Sequence, residues 1–592
     1  MGHKSASRLG AEGMTDPVEE ARQARKRGDL FGAYDIAARA IAEGNPSEDL
    51  KHEQALALAR MGDTERALSL FYSHGLDCSD DPDKRALGAR LLKDRGIEAG
   101  SQEELASAYY AYRRIFAETG DPYPGINAAS LALLTGQAEE ARRLASDILA
   151  LPSVAQPANY YCGATRGEAL LILGDIGAAT DALREAAGLP GANFGDQAGT
   201  LRQLRLLADG AGVPAAERET LLDAIRPPSA FHYVGHIFMA DEATERRLKD
   251  QIAAILDERR AGHAFGSAAA GADIIVAETV LERGGELHIV LPCAKADFVA
   301  QSVRPAGEAW VGRFEKVLAG ARRVSFATDM EFVNDPSLFA YGAAVAMGMA
   351  RLRGQHLATH CFQLALWDGS PGGPVGTAAD VRLWREHGGE TVVIPPDGVD
   401  RDYPRPPAGD PPPFPRRLAS ILFTDYAGYS QLTESALPAF DSEVMGRVSD
   451  VLAAHGPAVI AANTWGDALH AVVDGAGPGA DVALELQRRL TEVDPTLLGL
   501  PPDQGGMRIA VHFGSVYETT DRVTGRPNFQ GTEVSRAARI EPVTPPNTVY
   551  VTESFAAMIA LYAPERFRCR YVGRIDLAKK CGTFPMYRLT AH

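Results

Sequence analysis

Four residues of this chain have types and spacings that could do chemistry together: Asp425, Asp467, Ser535 and Arg539. Asp425 ends the apolar, β-prone run of ILFTD and is followed by YAGYS, while Asp467 lies in the tight turn of AVIAANTWGDALHAVVD. Alone, the first reads as a helix cap and the second as a turn residue. If their strands are neighbours, two carboxylates converge as oxygen ligands for Mg²⁺ carrying a triphosphate. Ser535 and Arg539 are i and i+4 in GTEVSRAARIEPV, so one helix face presents a hydroxyl beside a guanidinium. That pair suits a ribose and a phosphoryl group whose charge grows in a transition state. Arg536 is expected to point elsewhere, toward solvent.

The elements that must position these residues follow from hydrophobic period. RLASILFTD reads as a strand, followed by a long helix, the hairpin around Asp467, the helix GADVALELQRRLTEV and the strand MRIAVHFGSV. After the helix bearing Ser535 come a strand NTVYVTE, a short helix and a final hairpin. The order βαββαβ with additions predicts a ferredoxin-like α+β sandwich, in which the strands of Asp425 and Asp467 lie side by side.

At 592 residues the chain exceeds what one core supports, and three folded units are expected. The reading places a flexible tail over 1–14, helical repeats over 15–228, an α/β unit over 229–396, a Pro-rich linker over 397–417 and the α+β unit over 418–592. A net charge of −17 argues against a nucleic-acid partner, although a bound cation or a helix N-terminus still permits an anionic small molecule. No apolar run is long enough to cross a bilayer, and MGHKSASRLGAEGMTDP has no secretory h-region, so a cytoplasmic protein is expected. Six scattered cysteines without a CxxC pair are expected as reduced thiols.

In the first unit a signature recurs: KRGDLFGAYDIAARAI, RMGDTERALSLF, LTGQAEEARRLASDIL, ILGDIGAATDALREA. A Gly ends one helix, the next residue can cap its successor, and Ala lets helices approach closely. The stretch resembles tetratricopeptide repeats, which implies a concave groove for a protein partner; a helical spacer or dimerisation arm is the alternative.

In the second unit short strands alternate with helices, the pattern of a Rossmann-like parallel sheet. Two small-residue loops stand out, GSAAAGADIIVAE with Gly266, Ser267 and Gly271, and WDGSPGGPVGTAADVRLW with Gly372, Gly373, Gly376, Thr377 and Asp380. Such loops let backbone N–H groups close on a phosphate or ribose. The second resembles the PGGxGTxxE motif of Lonely Guy phosphoribohydrolases and the first the turn of DNA-processing proteins, which together imply a SLOG-type domain with a nucleotide-derived ligand. Two residues separate Gly373 from Gly376 instead of one, and Asp380 stands where those enzymes carry Glu. The departures favour ligand sensing over hydrolysis of an N-glycosidic bond. The linker PPDGVDRDYPRPPAGDPPPFPRR is expected to be an extended, semi-rigid spacer.

FTDxxGYS, then GDA, then GxxVxRAARI, in this order, resembles the catalytic domain of class III nucleotidyl cyclases. The resemblance implies that Asp425 and Asp467, with the backbone carbonyl of Tyr426, hold two Mg²⁺ or Mn²⁺ ions and that Arg539 stabilises the α-phosphate. It implies a head-to-tail homodimer whose two sites are shared between subunits, and a nucleoside triphosphate substrate, ATP first. Lys579 or Lys580 is a candidate for the triphosphate. Asn463 and Asn528 occupy the positions that read the base, and Ser535 the place of a ribose-binding asparagine. The expected activity is formation of a 3′,5′-cyclic nucleotide and pyrophosphate, regulated by the upstream units; the alternative is a ligand-sensing scaffold whose last unit only dimerises.

Overall fold

In the computed structural model the described residues are 16–404, 414–502 and 504–592. The expected tail over 1–14 and the proline-dense centre of the linker lie outside them. The chain divides into two compact units, one ending at Pro227 and one beginning at Pro228.

The first unit is helical throughout its described residues, from the helix Pro17–Lys26 to the helix Ala215–Asp223. Gly62, Gly100, Gly136 and Gly174 each stand between the two helices of a pair, at φ of 80°, 64°, 80° and 90°, a region that favours residues without a Cβ. Gly100 marks a repeat that its sequence, AGSQEEL, hides: Ser101 replaces Asp and caps the helix Gln102–Thr119 through the N–H of Glu104. Asp175 caps its helix by accepting from the N–H of Ala178 at 3.0 Å, whereas Asp63 makes no cap hydrogen bond and lies 3.5 Å from Arg66. The helix Phe194–Gly210 departs from the repeat pattern and packs against the helices Pro122–Leu134 and Tyr160–Leu173.

The second unit contains two sheets. The first is parallel, with strands β1 (Ser229–Gly235), β2 (Ala261–Gly266), β3 (Glu286–Leu291), β4 (Arg323–Phe326), β5 (Cys361–Leu366) and β6 (Thr391–Ile394), in the order β4-β3-β2-β1-β5-β6. The chain runs outward from β1 to β4 and then crosses to β5, so β1 and β5 flank the switch point where loops from their C-terminal ends leave a crevice.

The second sheet contains β7 (Arg416–Tyr426), β8 (Val459–Trp465), β9 (Ala468–Val473), β10 (Met507–Thr520), β11 (Pro527–Gln530), β12 (Thr548–Thr552), β13 (Phe567–Asp576) and β14 (Thr583–Ala591). Its order is β13-β14-β12-β10-β7-β9-β8, with β11 paired to β10. The run β10-β7-β9-β8 is antiparallel, the ferredoxin-like arrangement, and β12 joins β10 in parallel. The long helix expected after β7 is broken: Pro438 opens a short helix, Leu437–Phe440, followed by a wider turn, Asp441–Met445, before Gly446–Ala454.

These two sheets belong to one body. The helix Ser337–Leu357, which covers the parallel sheet, packs on the helix Glu553–Tyr562 of the other sheet. Its Gly348 has no room for a side chain, since a Cβ there would lie 2.0 Å from the Ala557 carbonyl oxygen. Gly348→Ala is therefore expected to destabilise the second unit by about 1–3 kcal/mol in urea unfolding, because backbone must move. Gly312→Ala, in the helix Glu308–Gly320 with open space around it, is expected to be neutral or stabilising by up to ~1 kcal/mol.

Candidate active site

Asp425 is the penultimate residue of β7, and Asp467 closes the hairpin turn between β8 and β9, after Gly466 at φ 62°. The pairing of β7 with β9 runs from Ser420↔Val473 to Thr424↔Leu469, which delivers both acids to the same end of adjacent strands. Asp467 Oδ2 accepts from the backbone N–H of Tyr426 at 3.3 Å. Burial, and next the charge of Asp425, push the Asp467 carboxyl up to about 6. Two carboxylates brought this close resist joint ionisation unless a cation stands between them.

A third acid, Glu541, comes as a surprise. Burial, followed by the charge of Asp425, pushes its carboxyl up to about 7, and its Oε1 makes no hydrogen bond. Arg508, opposite Asp425 in the β7–β10 ladder, has Nη1 3.9 Å from Asp425 Oδ2 and 3.8 Å from Glu541 Oε1. One guanidinium at that range leaves three acids short of positive charge. Glu541 follows Ile540 at the end of the helix Thr532–Ile540, where sequence reads it as a terminus. Among the described residues no group of three or more His, Cys, Asp or Glu is placed to hold a metal ion. The donor set is thus two carboxylates, and such a sparse set fits an Mg²⁺ whose other positions are filled by water and phosphate oxygens.

The helix Thr532–Ile540 carries both Ser535, exposed, and Arg539, half-buried. Neither side chain forms an ion pair or hydrogen bond with another described residue. Arg536 does not point to solvent: its Nη1 lies 2.8 Å from Glu533 and its Nη2 3.0 Å from Asp329, on the loop after β4. The reason is Glu533, which is 0 % exposed and needs cationic and hydrogen-bonding partners.

Asn463 sits on β8 opposite His470, half-buried, and Asn528 on β11 opposite Thr519. The Asn528 Oδ1 accepts from the N–H of Phe529 at 3.0 Å. Tyr426 buries its ring against Phe440, so only its backbone lies at the site. Lys579 is exposed in a left-handed turn at φ 59°, and the Lys580 side chain lies outside the described residues.

At the switch point of the parallel sheet lies a cavity of about 510 Å³. Ser267, Gly372, Gly373, Gly376, Thr377 and Asp380 line it; Gly266 and Gly271 do not. Gly266 instead packs under the Tyr233 ring, and Gly271, at φ 85°, starts the helix Ala272–Glu282. Asp273 and Arg401, which no sequence pattern marks, also line the cavity. Asp273 Oδ2 accepts from the Ala269 N–H at 3.2 Å, while its Oδ1 and the Ser267 hydroxyl are buried without partners. Burial pushes the Asp273 carboxyl up to about 7 and Asp380 well above the usual range, the latter also through Asp273.

Because the folded value of Asp273 lies above that of an unfolded chain, its contribution is present at low pH and lost as pH rises through about 7. Thermal unfolding of the protein is expected to show a stability loss between about pH 4 and 7 that flattens in Asp273→Asn.

Residues 29–132 match the family model TPR-S, Tetratricopeptide Repeats-Sensor. No curated protein matches the chain. Among solved structures the chain is similar to the guanylate cyclase domain of RhGC from Catenaria anguillulae, crystallised with GTP. That match has 18% identity and a TM-score of 0.26 and covers 30% of this chain and 99% of that one. It is also similar to the adenylyl cyclase CyaB from P. aeruginosa (16% identity, 30% and 95% covered, TM-score 0.26). A third similar structure is that of adenylate cyclases from Trypanosoma brucei in their monomeric state (18% identity, 29% and 89% covered, TM-score 0.25).

Proposed function

We propose that the second unit is a nucleotidyl cyclase that converts a nucleoside triphosphate, ATP first, to a 3′,5′-cyclic nucleotide and pyrophosphate. The observation that carries this reading is the convergence of Asp425 and Asp467 at the ends of neighbouring strands, with too little positive charge around them. Asp425, Asp467 and the Tyr426 carbonyl would hold two divalent ions, Mg²⁺ or Mn²⁺. When bound, these ions supply an acidified 3′-hydroxyl and neutralise the triphosphate. The 3′-hydroxyl gives its proton to water, its oxygen forms a bond to the α-phosphorus as the bond to the bridging oxygen breaks, and pyrophosphate leaves with that electron pair.

Arg539, with no partner of its own among the described residues, is free to meet charge developing on the α-phosphate, and Ser535 to meet the ribose. Both are proposed to act on the substrate held by the acids of a second copy, so a head-to-tail homodimer has two shared sites. Asn463 and Asn528 are proposed to read the base, and either can pair with adenine or guanine, since an amide both donates and accepts. Lys579 is assigned the triphosphate.

The cavity of the parallel sheet is proposed as a regulatory site for a nucleotide-derived ligand, as in a SLOG-type domain. Phe339 and Gly342 of the helix Ser337–Leu357 line that cavity, and the same helix continues to Gly348 at the cyclase-like sheet. The loop after β4 is hydrogen-bonded to the helix carrying Ser535 and Arg539, through Thr328 to Glu533 at 2.7 Å. A ligand that shifts either element changes where Arg539 stands.

The test is incubation of the protein with each of the four ribonucleoside triphosphates and Mg²⁺ or Mn²⁺, with the products identified. A cyclic nucleotide and pyrophosphate in equal amounts support the reading. A free base released independently of Asp425 would instead make the parallel-sheet cavity a glycosidase. No product under any condition would leave the last sheet as a dimerising scaffold, the reading favoured by the engagement of the Asn528 Oδ1 with the N–H of Phe529.

A further inference from the structure

In the first unit the helix Phe194–Gly210 occupies the face on which an array of helix pairs binds its partners. The first helices of four successive pairs, Glu48–Met61, Pro82–Ala99, Pro122–Leu134 and Tyr160–Leu173, turn side chains toward this one helix. In a stacked array the surface that runs across successive repeats is the extended binding groove. The helix spans it. Near its start, a Cβ on Gly28, in the turn after the helix Pro17–Lys26, would stand 3.1 Å from the Gly195 backbone nitrogen. At its end, a Cβ on Gly210 would stand 3.3 Å from Leu134 Cδ2.

The contacts along the groove are polar. Asp196, Thr200, Gln203 and Leu207 stand at i, i+4, i+7 and i+11, one stripe of the helix. Asp196 pairs with Arg60 and accepts from the Tyr161 hydroxyl. One turn on, Thr200 Oγ1 accepts from the Tyr160 hydroxyl at 2.8 Å, and at the next turn Gln203 Oε1 accepts from Lys93 at 3.1 Å. Arg202, beside the stripe, donates to the Arg60 carbonyl at 3.3 Å. The second helices of the pairs are seated differently, by apolar stripes such as Ala141, Leu144, Ala145 and Ile148 in Ala138–Leu149.

The fit is also incomplete. A cavity of about 120 Å³ remains between helix and groove, and the Arg60 Nε and Gln203 Nε2 that line it are buried with no hydrogen-bond partner. Permanent cores leave few voids of that size, whereas a polar, loosely packed contact is the character of surfaces that exchange partners. Both ends of the helix offer a hinge: GLPG precedes it, with Gly191 at φ 86°, and Gly212 follows it at φ 68°. Leu201, Leu204 and Leu207 are buried, which keeps the helix seated while no competitor is present.

We propose that Phe194–Gly210 is an internal stand-in for a protein ligand of the repeat groove. The ligand that displaces it is a helix with a carboxylate for Arg60, followed one and two turns on by side chains that accept from Tyr160 and Lys93. The groove is closed until such a partner arrives. Hydrogen–deuterium exchange of the full chain is the first test: the amides of 194–210 are expected to exchange at least ~10-fold faster than those of Pro122–Leu134 and Tyr160–Leu173, against which the helix packs. The second is fluorescence anisotropy of a labelled peptide of residues 193–210 added to the full chain. Thr200→Ala with Gln203→Ala loosens the internal helix, and this variant is expected to bind the peptide at least ~10-fold more tightly than the parent does. The same peptide carrying Asp196→Ala is expected to bind the variant at least ~10-fold more weakly. Protection of 194–210 equal to that of its neighbours would make the helix a permanent part of the core. That result, equal or no peptide binding by parent and variant, or indifference to Asp196→Ala would each overturn the proposal.

Discussion

Asp425→Ala and Asp467→Ala are each expected to reduce cyclic-nucleotide formation by at least ~10²–10³-fold while leaving the fold intact, as measured by product formation and by circular dichroism. The carboxylates lie on strands whose pairing is made by backbone and by buried Ile421, Leu422 and Val472, so neither side chain is needed for the sheet. The double variant is expected to be little worse than either single one, because the two acids act as a unit. A sharper consequence follows from the proposed sharing of sites. Asp425→Ala and Arg539→Ala, each inactive alone, are expected to regain about a quarter of parental activity when mixed in equal amounts, since half the dimers then have one intact site of two. Absence of recovery, with exchange of subunits verified, would show that acids and arginine serve one chain.

The second large effect is at Glu533. This carboxylate, fully buried, accepts from Thr328 at 2.7 Å, meets the His512 ring at 2.6 Å and pairs with Arg536 at 2.8 Å. Burial works against its ionisation, yet the hydrogen bond to His512 and the nearby charges bring it down to about 2. Glu533→Ala leaves Arg536 with only the exposed Asp329 as counter-charge and leaves His512 and Thr328 without this acceptor, an expected loss of roughly 3–5 kcal/mol in urea unfolding. Glu533→Gln, which keeps an acceptor but not the charge, is expected to cost about 1–3 kcal/mol. Its folded value lies below that of a free glutamate, so the contribution is present above about pH 4.5 and lost as pH falls toward 2. Both variants are also expected to lower turnover more than they raise KM for the triphosphate. They free the helix that positions Ser535 and Arg539 without touching the acids.

Glu533 also shows how sequence and structure divide the information. In GTEVSRAARIEPV the spacing of Ser535 and Arg539 is legible because i, i+4 geometry is local to a helix. That Arg536 turns inward is not legible, since its partner Asp329 is 207 residues away. The same holds for Glu541: nothing in RIEP marks it as facing Asp425, which reaches it through the β7–β10 ladder. In the parallel sheet the glycine loops stand out in sequence because small residues cluster, whereas Asp273 is hidden inside a helix that reads as apolar core. Arg401 is hidden for another reason, lying where proline-rich composition suggests only a spacer.

The amino-acid sequence by itself determined the helix pairs with their Gly turns, the two kinds of sheet, the βαββαβ order and the pairing of Asp425 with Asp467, all of which rest on short-range period, turn chemistry and strand adjacency. Only the tertiary structure decided that the two sheets form one body, and that buried acids gather in the crevice of the parallel sheet and beside Asp425 in the other. Those outcomes depend on which desolvated charges meet across long stretches of chain, and a side chain's charge says nothing of its partner until packing brings the two within a few ångströms.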